Sequence, residues 1–208
     1  ISHTQSGVES ILKNTPMYNK TFSYPDDVTN TTKSMKYSQA FMAAADTSGV
    51  SPYHLASRVK QEVVISPTTM SDSVSGTRSG YTGIYNFYNI GATNTTSGSA
   101  VNNGLKWAST GNSYLRPWNS RYRSIVGGAI YIGEKYINVG QNTSYLQKFN
   151  VTEKNRYNHQ YMSNIEAPNS EATKTASAYS ATLNEMTLVF SIPVYTNMPE
   201  EVSPIPTK

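Results

Sequence analysis

Apolar residues recur at helical spacing in four stretches of this chain, separated by segments rich in Ser, Thr, Asn and Gly. The four stretches are 34–46, 51–67, 100–108 and 121–140, and Pro67 closes the second. Gly49 and Gly140 are stop signals near the ends of the first and the last. Ser51 followed by Pro52 is a start signal, because a serine oxygen caps free N–H groups and proline suits the first helical position. The pattern predicts four helices, and the pair 127–128, both glycine, predicts a closely approaching neighbour for the last one.

The two ends of the chain show a different pattern. Residues 1–33 are rich in Thr, Asn, Ser and Pro, which predicts an irregular N-terminal arm packed on the domain. Three aromatic residues are expected to dock this arm: Tyr18, Phe22 and Tyr24. Residues 34–208 are predicted to form a single domain, and EMTLVFSIPVY at 185–195 predicts a strand within the tail, 170–208.

A small sheet is predicted in the middle of the chain. Residues 66–83 are almost entirely Ser, Thr, Gly and Asp and predict a polar loop. The following segment, YTGIYNFYNIGA at 81–92, sets aromatic and β-branched residues between glycines, which predicts a short hairpin or tight strand.

Glu62 stands out within the second predicted helix. It lies on or beside the apolar stripe formed by Leu55, Val59 and Val63. Burial without a cationic partner favours the protonated form of a carboxyl group, the form in which a general acid donates its proton. The alternative is an ordinary solvated or ion-paired glutamate, with Arg58 one turn earlier as its partner. The helix alone leaves both interpretations open.

Composition bounds the function. The chain has 208 residues, no cysteine and a formal net charge of +4, so thiol chemistry is excluded and weak attraction to polyanions is favoured. Tyrosine, with 16 residues against five phenylalanines, suits a wet groove that stacks sugars as well as a half-buried core. No apolar run is long enough to span a membrane, and the start, ISHTQSG, has no signal-peptide pattern. These features predict a domain excised from a longer protein.

Several familiar chemistries lack their motifs. The three histidines, His3, His54 and His159, are scattered without the spacing of a zinc site, so neither metal nor cofactor is expected. Phosphate-binding glycine loops and the GxSxG nucleophile motif are missing, and the basic residues are too dispersed to favour nucleic acid. A single acid on a core helix, followed by a polar loop and an Asn-rich aromatic segment, favours glycoside hydrolysis.

A family resemblance rests on five segments. They are QEV at 61–63, YNFYNIGA at 85–92, GLKWA at 104–108, RSIVGGAIYIGEKYINVGQNTSYLQKFNV at 123–151 and HQYMSNI at 159–165. Together they resemble the endo-β-N-acetylglucosaminidases of glycoside hydrolase family 73, in particular the catalytic domains of clostridial cell-wall autolysins, and are similar to the staphylococcal autolysin glucosaminidase. The resemblance implies an α+β fold that is mainly helical and lysozyme-like, with a small β-lobe beside the cleft.

The resemblance also implies roles for single residues. Glu62 matches the general acid, and Tyr161 matches a tyrosine that stabilises the developing positive charge on the sugar or positions the attacking water. The implied substrate-binding residues are Tyr85, Asn86, Phe87, Tyr88, Asn89, Gly91 and Gln160. Each has a structural alternative: a core ring for Tyr161, turn-stabilising asparagines between 86 and 91, and a supporting role for His159 and Gln160.

A second carboxylate is hard to assign. Glycosidases usually use two carboxyl groups, yet Asp72 is the only acidic residue between Glu62 and Glu134. Asp72, Glu134 and Glu153 remain the candidates, with Glu134 expected on the solvent side of a helix and Glu153 expected in a turn. A substrate-assisted mechanism, in which the 2-acetamido oxygen attacks the anomeric carbon, removes the need for any of them and is the favoured interpretation.

The implied reaction is hydrolysis of the β-1,4 bond between N-acetylglucosamine and N-acetylmuramic acid in peptidoglycan. The expected protein is a secreted, cell-wall-associated monomer whose partners are glycan strands and anionic wall polymers, without nucleic acid or a membrane span. Two alternatives stay open at this point. They are a lytic transglycosylase, which would leave anhydromuramic ends, and a module that binds wall glycan without cleaving it.

Overall fold

The computed structural model describes residues 3–154, 156–161, 165–166, 168–170, 172–173, 176, 192, 194–201 and 204. The helices in this part of the chain are α1 (Gln5–Leu12), α2 (Tyr37–Ser48), α3 (Pro52–Val63), α4 (Ala100–Ser109), α5 (Arg121–Lys135) and α6 (Ser144–Phe149). The strands are β1 (Thr21–Pro25), β2 (Thr32–Lys36), β3 (Val64–Ser66) and β4 (Thr69–Met70). The strand predicted at 185–195 lies almost entirely outside the described residues.

The four helices predicted from apolar spacing are all present. α2 ends at Gly49, whose φ of +71° is the left-handed conformation typical of a glycine cap. α3 begins as predicted, with Pro52 in its first turn and the Ser51 hydroxyl accepting from the backbone N–H of His54. α5 ends at Lys135, earlier than predicted, because a 3₁₀ turn at Ile137–Val139 leads to Gly140. Local patterning therefore predicts the helices of this region well.

The adjacent glycines Gly127 and Gly128 inside α5 allow close packing, as predicted. A Cβ atom on Gly128 would lie 2.2 Å from the Tyr88 ring, and one on Gly127 would lie 2.0 Å from the Tyr114 carbonyl oxygen. Larger residues would therefore push α5 away from the segment that contains Tyr88.

The N-terminal arm is regular, and the prediction of an irregular segment is wrong. α1 is capped by the Thr4 hydroxyl and buries Val8, Ile11 and Leu12 completely against α2 and α3. β1 and β2 form an antiparallel hairpin that runs directly into α2. Phe22 and the ring of Tyr24 are buried, as expected for docking residues, whereas Tyr18 is exposed. The polar composition of the segment concealed an amphipathic helix of only eight residues.

The small sheet is displaced from its predicted position. Residues 81–92 form turns instead of strands, and the β-lobe consists of β3 and β4, which follow α3 immediately. Gly83, Asn89 and Gly91 have positive φ values, so the backbone turns at each of them. The extended runs between these residues are too short to pair as strands. β4 lies in the stretch that composition predicts as a loop. β3 lies in the last residues of the stretch predicted as the second helix, because α3 ends at Val63 and does not continue toward Pro67.

One hydrophobic cluster includes side chains from α1, β1, α2, α3, α5 and the 81–92 segment. α2 packs most extensively against α5, and α1 and α2 both pack against α3. α3 is therefore enclosed on several sides, with its last turn next to the β-lobe. The predicted class, α+β and mainly helical with a small β-lobe, is confirmed.

Candidate active site

Glu62 lies in the last turn of α3, where the helix runs into β3. Its side chain is 21% exposed, so it is partly desolvated, as the helical pattern predicts. The sequence argument assumed burial without a cation. The structure instead has Arg58 beside it, with Nε 3.4 Å from Glu62 Oε1 across one turn of α3. The ion pair with Arg58, which the sequence left open as an alternative, is therefore present. It is one of several contacts of the Glu62 carboxylate.

Both carboxylate oxygens of Glu62 accept hydrogen bonds from distant segments. The Tyr161 hydroxyl donates to Oε1 at 3.1 Å, across 99 residues of sequence. The Asn89 side-chain amide donates to Oε2 at 3.2 Å and to the Glu62 backbone carbonyl at 2.8 Å. The structure therefore brings together Glu62, Tyr161 and Asn89, three residues for which the resemblance implies functional roles.

Tyr161 is held by the chain that follows α5. Its backbone N–H donates to the Gln147 carbonyl at 2.9 Å, and its ring meets the Tyr136 ring edge to face at 5.6 Å. His159 stacks on the other ring of this pair, Tyr136, at 4.4 Å. The Gln141 amide donates to the His159 carbonyl at 3.1 Å. These contacts fix an exposed loop, and 37% of the Tyr161 surface remains open to solvent.

Three predicted substrate-binding residues lie in the interior. Asn86 and Phe87 have no exposed surface, and Tyr88 is 2% exposed. The Asn86 amide donates to the carbonyls of Ile90 and Gly104, and its oxygen accepts from the Ile90 N–H. These buried side chains support the loop, as the architectural alternative for this segment predicts, and Tyr88 also lines the pocket described below. A substrate-binding role for the three residues stays a prediction.

The other residues of that loop are accessible. Gly91 is exposed at a φ of +72°, and a Cβ atom there would lie 3.0 Å from Trp107. Tyr85 is partly buried, with the Arg121 guanidinium over its ring at 4.8 Å. Only Asn89 among the predicted binding residues of this loop contacts Glu62. Gln160 is exposed, and its side-chain amide donates to the Tyr157 carbonyl at 3.2 Å.

A pocket of about 20 Å³ lies beside Arg58 and Tyr161. Its other lining residues are His54, Tyr88, Ile90, Tyr131, Ile132, Tyr136 and Gln147. This volume holds one water molecule and excludes a sugar ring. Burial and, secondarily, the Arg58 charge lower the pKa of His54 to about 4. Burial also raises the pKa of Tyr136 to about 12 and that of Tyr88 well above its ordinary value, so these groups stay neutral around Arg58.

The candidate second carboxylates make other contacts. Asp72 is exposed and pairs with Arg78 at 3.1 Å. Glu134 is exposed on α5, where it accepts from the Tyr114 hydroxyl at 3.0 Å and pairs with Lys135 at 2.7 Å. Glu153 is exposed. The solvent-side helical position expected for Glu134 is confirmed. Glu153, expected in a turn, lies in a bend outside the described helices and strands.

Sequence reasoning missed the groups that hold Tyr161. Tyr136 and Gln141 belong to the longest of the resemblance segments, yet no role was inferred for them. Gln141 directly follows the predicted helix stop at Gly140. It is buried, and a buried side-chain amide needs hydrogen-bond partners, which could have indicated a structural role for it.

Neither a metal centre nor a membrane helix is found in the described part of the chain. No group of three or more His, Asp or Glu side chains there is arranged to hold a metal ion. The helices of the described residues are also too short or too polar to cross a bilayer.

No protein-family model matches this chain, whereas comparison with individual known proteins gives relatives among the staphylococcal autolysins. The bifunctional autolysin of Staphylococcus epidermidis is 32% identical over 111 residues, which are 53% of this chain and 8% of that protein. The matched region thus spans less than a tenth of the relative's length.

Solved structures extend the likeness in fold. S. aureus autolysin E matches with a TM-score of 0.58 at 20% identity, covering 87% of this chain and 68% of that chain. A catalytic glutamate-to-alanine mutant of the same protein, in complex with the disaccharide NAG-NAM, matches with a TM-score of 0.56 at 21% identity and the same coverage. The chain is thus similar in sequence to the bifunctional autolysin of S. epidermidis over about half its length, and similar in fold to S. aureus autolysin E over most of it. The resemblance of the motifs between residues 61 and 165 predicts this likeness.

Proposed function

We propose that this chain is a peptidoglycan hydrolase, an endo-β-N-acetylglucosaminidase that cleaves the β-1,4 bond between N-acetylglucosamine and N-acetylmuramic acid. The carrying observation is the carboxyl group of Glu62 at the end of α3, with the Tyr161 hydroxyl on one oxygen and the Asn89 amide on the other. The homology to bifunctional autolysins supports this activity, and the NAG-NAM complex of autolysin E supports the substrate class.

Glu62 acts as the general acid in this proposal. It gives its proton to the glycosidic oxygen while the bond between that oxygen and the anomeric carbon breaks, which leaves positive charge on the glucosamine ring. The Tyr161 hydroxyl, 3.1 Å from Glu62 Oε1, is near enough to contact the same region of the sugar. We assign Tyr161 the stabilisation of that charge or the placement of the attacking water.

The nucleophile is proposed to come from the substrate. The 2-acetamido oxygen attacks the anomeric carbon of its own sugar, and water then opens the cyclic intermediate with Glu62 as the base. The contacts of Asp72 with Arg78 and of Glu134 with Lys135 support this choice, since both carboxylates are already paired at exposed positions. Substrate assistance predicts that glycans lacking the N-acetyl group are not cleaved.

The reaction can be tested by its products. Purified peptidoglycan is digested with the wild type and with Glu62→Gln, the fragments are reduced with borohydride, and the reduced end is identified by mass spectrometry. Reduced glucosamine ends that disappear in the variant are the expected result. Reduced muramic ends or anhydromuramic products would change the reaction to a muramidase or a lytic transglycosylase. Absence of products from both proteins, together with tight glycan binding, would indicate a binding module.

The surroundings of the enzyme follow from the same substrate. We propose that it is secreted, is associated with the cell wall and works as a monomer on glycan strands. Its net charge of +4 would add attraction to anionic wall polymers, an interaction that salt screens. Wall binding should therefore weaken between low and high salt, and binding that is independent of salt would contradict this part of the proposal.

A further inference from the structure

Arg58 is buried beside the candidate acid. Only 8% of the residue is exposed, which is rare for an arginine unless its charge is paired. Its Nε lies 3.4 Å from Glu62 Oε1, the oxygen that also accepts from the Tyr161 hydroxyl. The guanidinium therefore meets the carboxylate on the same side as the tyrosine.

The same guanidinium also covers the face of the Tyr161 ring. Its central carbon is 4.3 Å from the ring centroid, within the range of a cation–π contact. Arg58, Glu62 and Tyr161 thus form a closed triangle, in which each member contacts the other two. Two members belong to α3, whereas Tyr161 comes from the loop after α6, so Arg58 connects the helix of the acid to that loop.

We propose that Arg58 is a positioning residue for the reaction. It fixes the Glu62 carboxyl group and the Tyr161 hydroxyl in one geometry, and its charge stabilises the carboxylate that remains when Glu62 has given up its proton. This inference rests on the proposed glycosidase function and deepens it, because it names a group that acts on the proton-transfer step without touching the substrate.

The charge balance explains how Arg58 contributes. During bond cleavage the proton leaves Glu62 for the glycosidic oxygen, and the negative charge that appears on Glu62 lies beside a guanidinium already in position. A charge held in place before the reaction requires no reorganisation during it, which makes such stabilisation effective. The neighbouring groups of the pocket are neutral: burial lowers the pKa of His54 to about 4 and raises that of Tyr136 to about 12.

The geometry suits arginine better than lysine. A planar guanidinium can donate from Nε and stack on an aromatic face at the same time, whereas an ammonium is a compact point charge that does one or the other. Arg58→Lys therefore keeps the charge and removes the bridge. Arg58→Met keeps a buried aliphatic side chain and removes both the charge and the bridge. The two variants therefore separate the contribution of the charge from that of the bridge between Glu62 and Tyr161.

The test measures kcat and KM on soluble peptidoglycan glycan fragments for Arg58→Met, Arg58→Lys and Glu62→Gln. We expect Arg58→Met to lower kcat about 100-fold and Arg58→Lys about 10-fold, with KM within about twofold of the wild type. Melting temperatures are measured in parallel, so that loss of activity can be compared with loss of stability.

Lys60→Met is the matched control. Lys60 is on the same helix, and its partly buried ammonium donates to the carbonyls of Ile11 and Lys13 at 2.8 and 3.1 Å, away from Glu62. We expect it to lose stability and to keep wild-type kcat. A double-variant cycle adds a second readout: Tyr161→Phe should lower kcat about 10-fold in the wild type and less than about twofold in Arg58→Met.

Each outcome has a defined meaning. Arg58→Met with kcat within about threefold of the wild type would overturn the inference, and so would an equal loss in Lys60→Met or an unchanged effect of Tyr161→Phe in the cycle. If Arg58→Met does not fold, Arg58→Lys decides: a lower kcat at unchanged KM and melting temperature supports the inference, and wild-type kcat overturns it. An active Glu62→Gln would overturn both the glycosidase proposal and the positioning role of Arg58. An inactive Glu62→Gln together with a fully active Arg58→Met would overturn only the positioning role of Arg58.

Discussion

The two segments that meet at Glu62 differ in how their sequence relates to their structure. α3 presents apolar residues at helical spacing after a serine cap, and Leu55, Val59 and Val63 are buried as this pattern predicts. The loop from Tyr85 to Gly91 has a more distinctive sequence, yet three of its side chains point into the core and only Asn89 contacts the acid. Periodicity predicts direction within a helix, because successive residues turn by a fixed angle.

The loop has no such period, so its side-chain directions depend on partners far away in the chain. Asn86 faces inward because the carbonyls of Ile90 and Gly104 need a donor there. Asn89, three residues later, adopts a φ of +50° and turns outward to Glu62. The same residue type thus serves a structural role at one position and contacts the acid at the other. Variants of the two segments can separate these roles.

The largest expected effect concerns α3. Glu62→Gln removes the proton donor and keeps the shape of the side chain, so kcat should fall by at least about 10³-fold while the melting temperature changes little. Steady-state kinetics on peptidoglycan, with thermal unfolding of the same samples, provides the measurement. A variant that retains a tenth of the wild-type rate would remove Glu62 from the mechanism.

The loop provides a paired comparison. Asn86→Ala leaves two buried carbonyls and one N–H without their partner and should cost about 2–3 kcal/mol in the free energy of unfolding. Asn89→Gly preserves the left-handed backbone and removes the amide on Glu62, so it should lower kcat about 10-fold with little change in stability. Urea unfolding and kinetics on both proteins distinguish the two roles. Similar behaviour of the two variants would mean that the loop acts as one structural unit.

The pocket behind the site predicts a pH effect on stability. Burial lowers the pKa of His54 from 6.5 to about 4, so the unfolded chain binds more protons than the folded one between these values, and stability falls as pH decreases through this window. The loss between pH 7 and pH 5 should be about 2 kcal/mol. His54→Gln should reduce it, leaving the smaller contribution of His3, whose pKa is also lowered by burial. The measurement is thermal unfolding of both proteins at pH 7 and pH 5. An equal loss of stability between the two pH values in the wild type and in His54→Gln would contradict this assignment.

The smallest expected effect belongs to Tyr161. Tyr161→Phe keeps the ring under Arg58 and removes the hydroxyl on Glu62, so kcat should fall about 10-fold while KM changes less. An unchanged kcat would return Tyr161 to a packing role, the alternative that its sequence left open.

Local periodicity and capping predict α2 to α5 and the position of Glu62 on α3, whereas the α+β class is implied by the family resemblance. The six-residue helix α6 is not predicted. Nor does the sequence predict α1, whose eight residues are too few for a strong pattern in a polar segment. It places the sheet in the wrong segment, since aromatic residues favour strands only when neighbouring backbone can pair with them. The contact of Arg58 with Tyr161 lies beyond any local pattern, because it joins residues that approach only through the packing of α5 and the loop after α6.

α1 has a consequence for any shortened version of this chain. Gly7 lies against Tyr53 so closely that a Cβ atom there would be 2.3 Å from the tyrosine hydroxyl oxygen, and Lys60 donates to the carbonyls of Ile11 and Lys13. A fragment that starts at residue 34 would contain Arg58, Asn89 and Tyr161, the partners described above for the Glu62 carboxylate, yet it would leave one side of α3 uncovered. The smallest piece able to hold the acid in place therefore extends well beyond the residues that form the site.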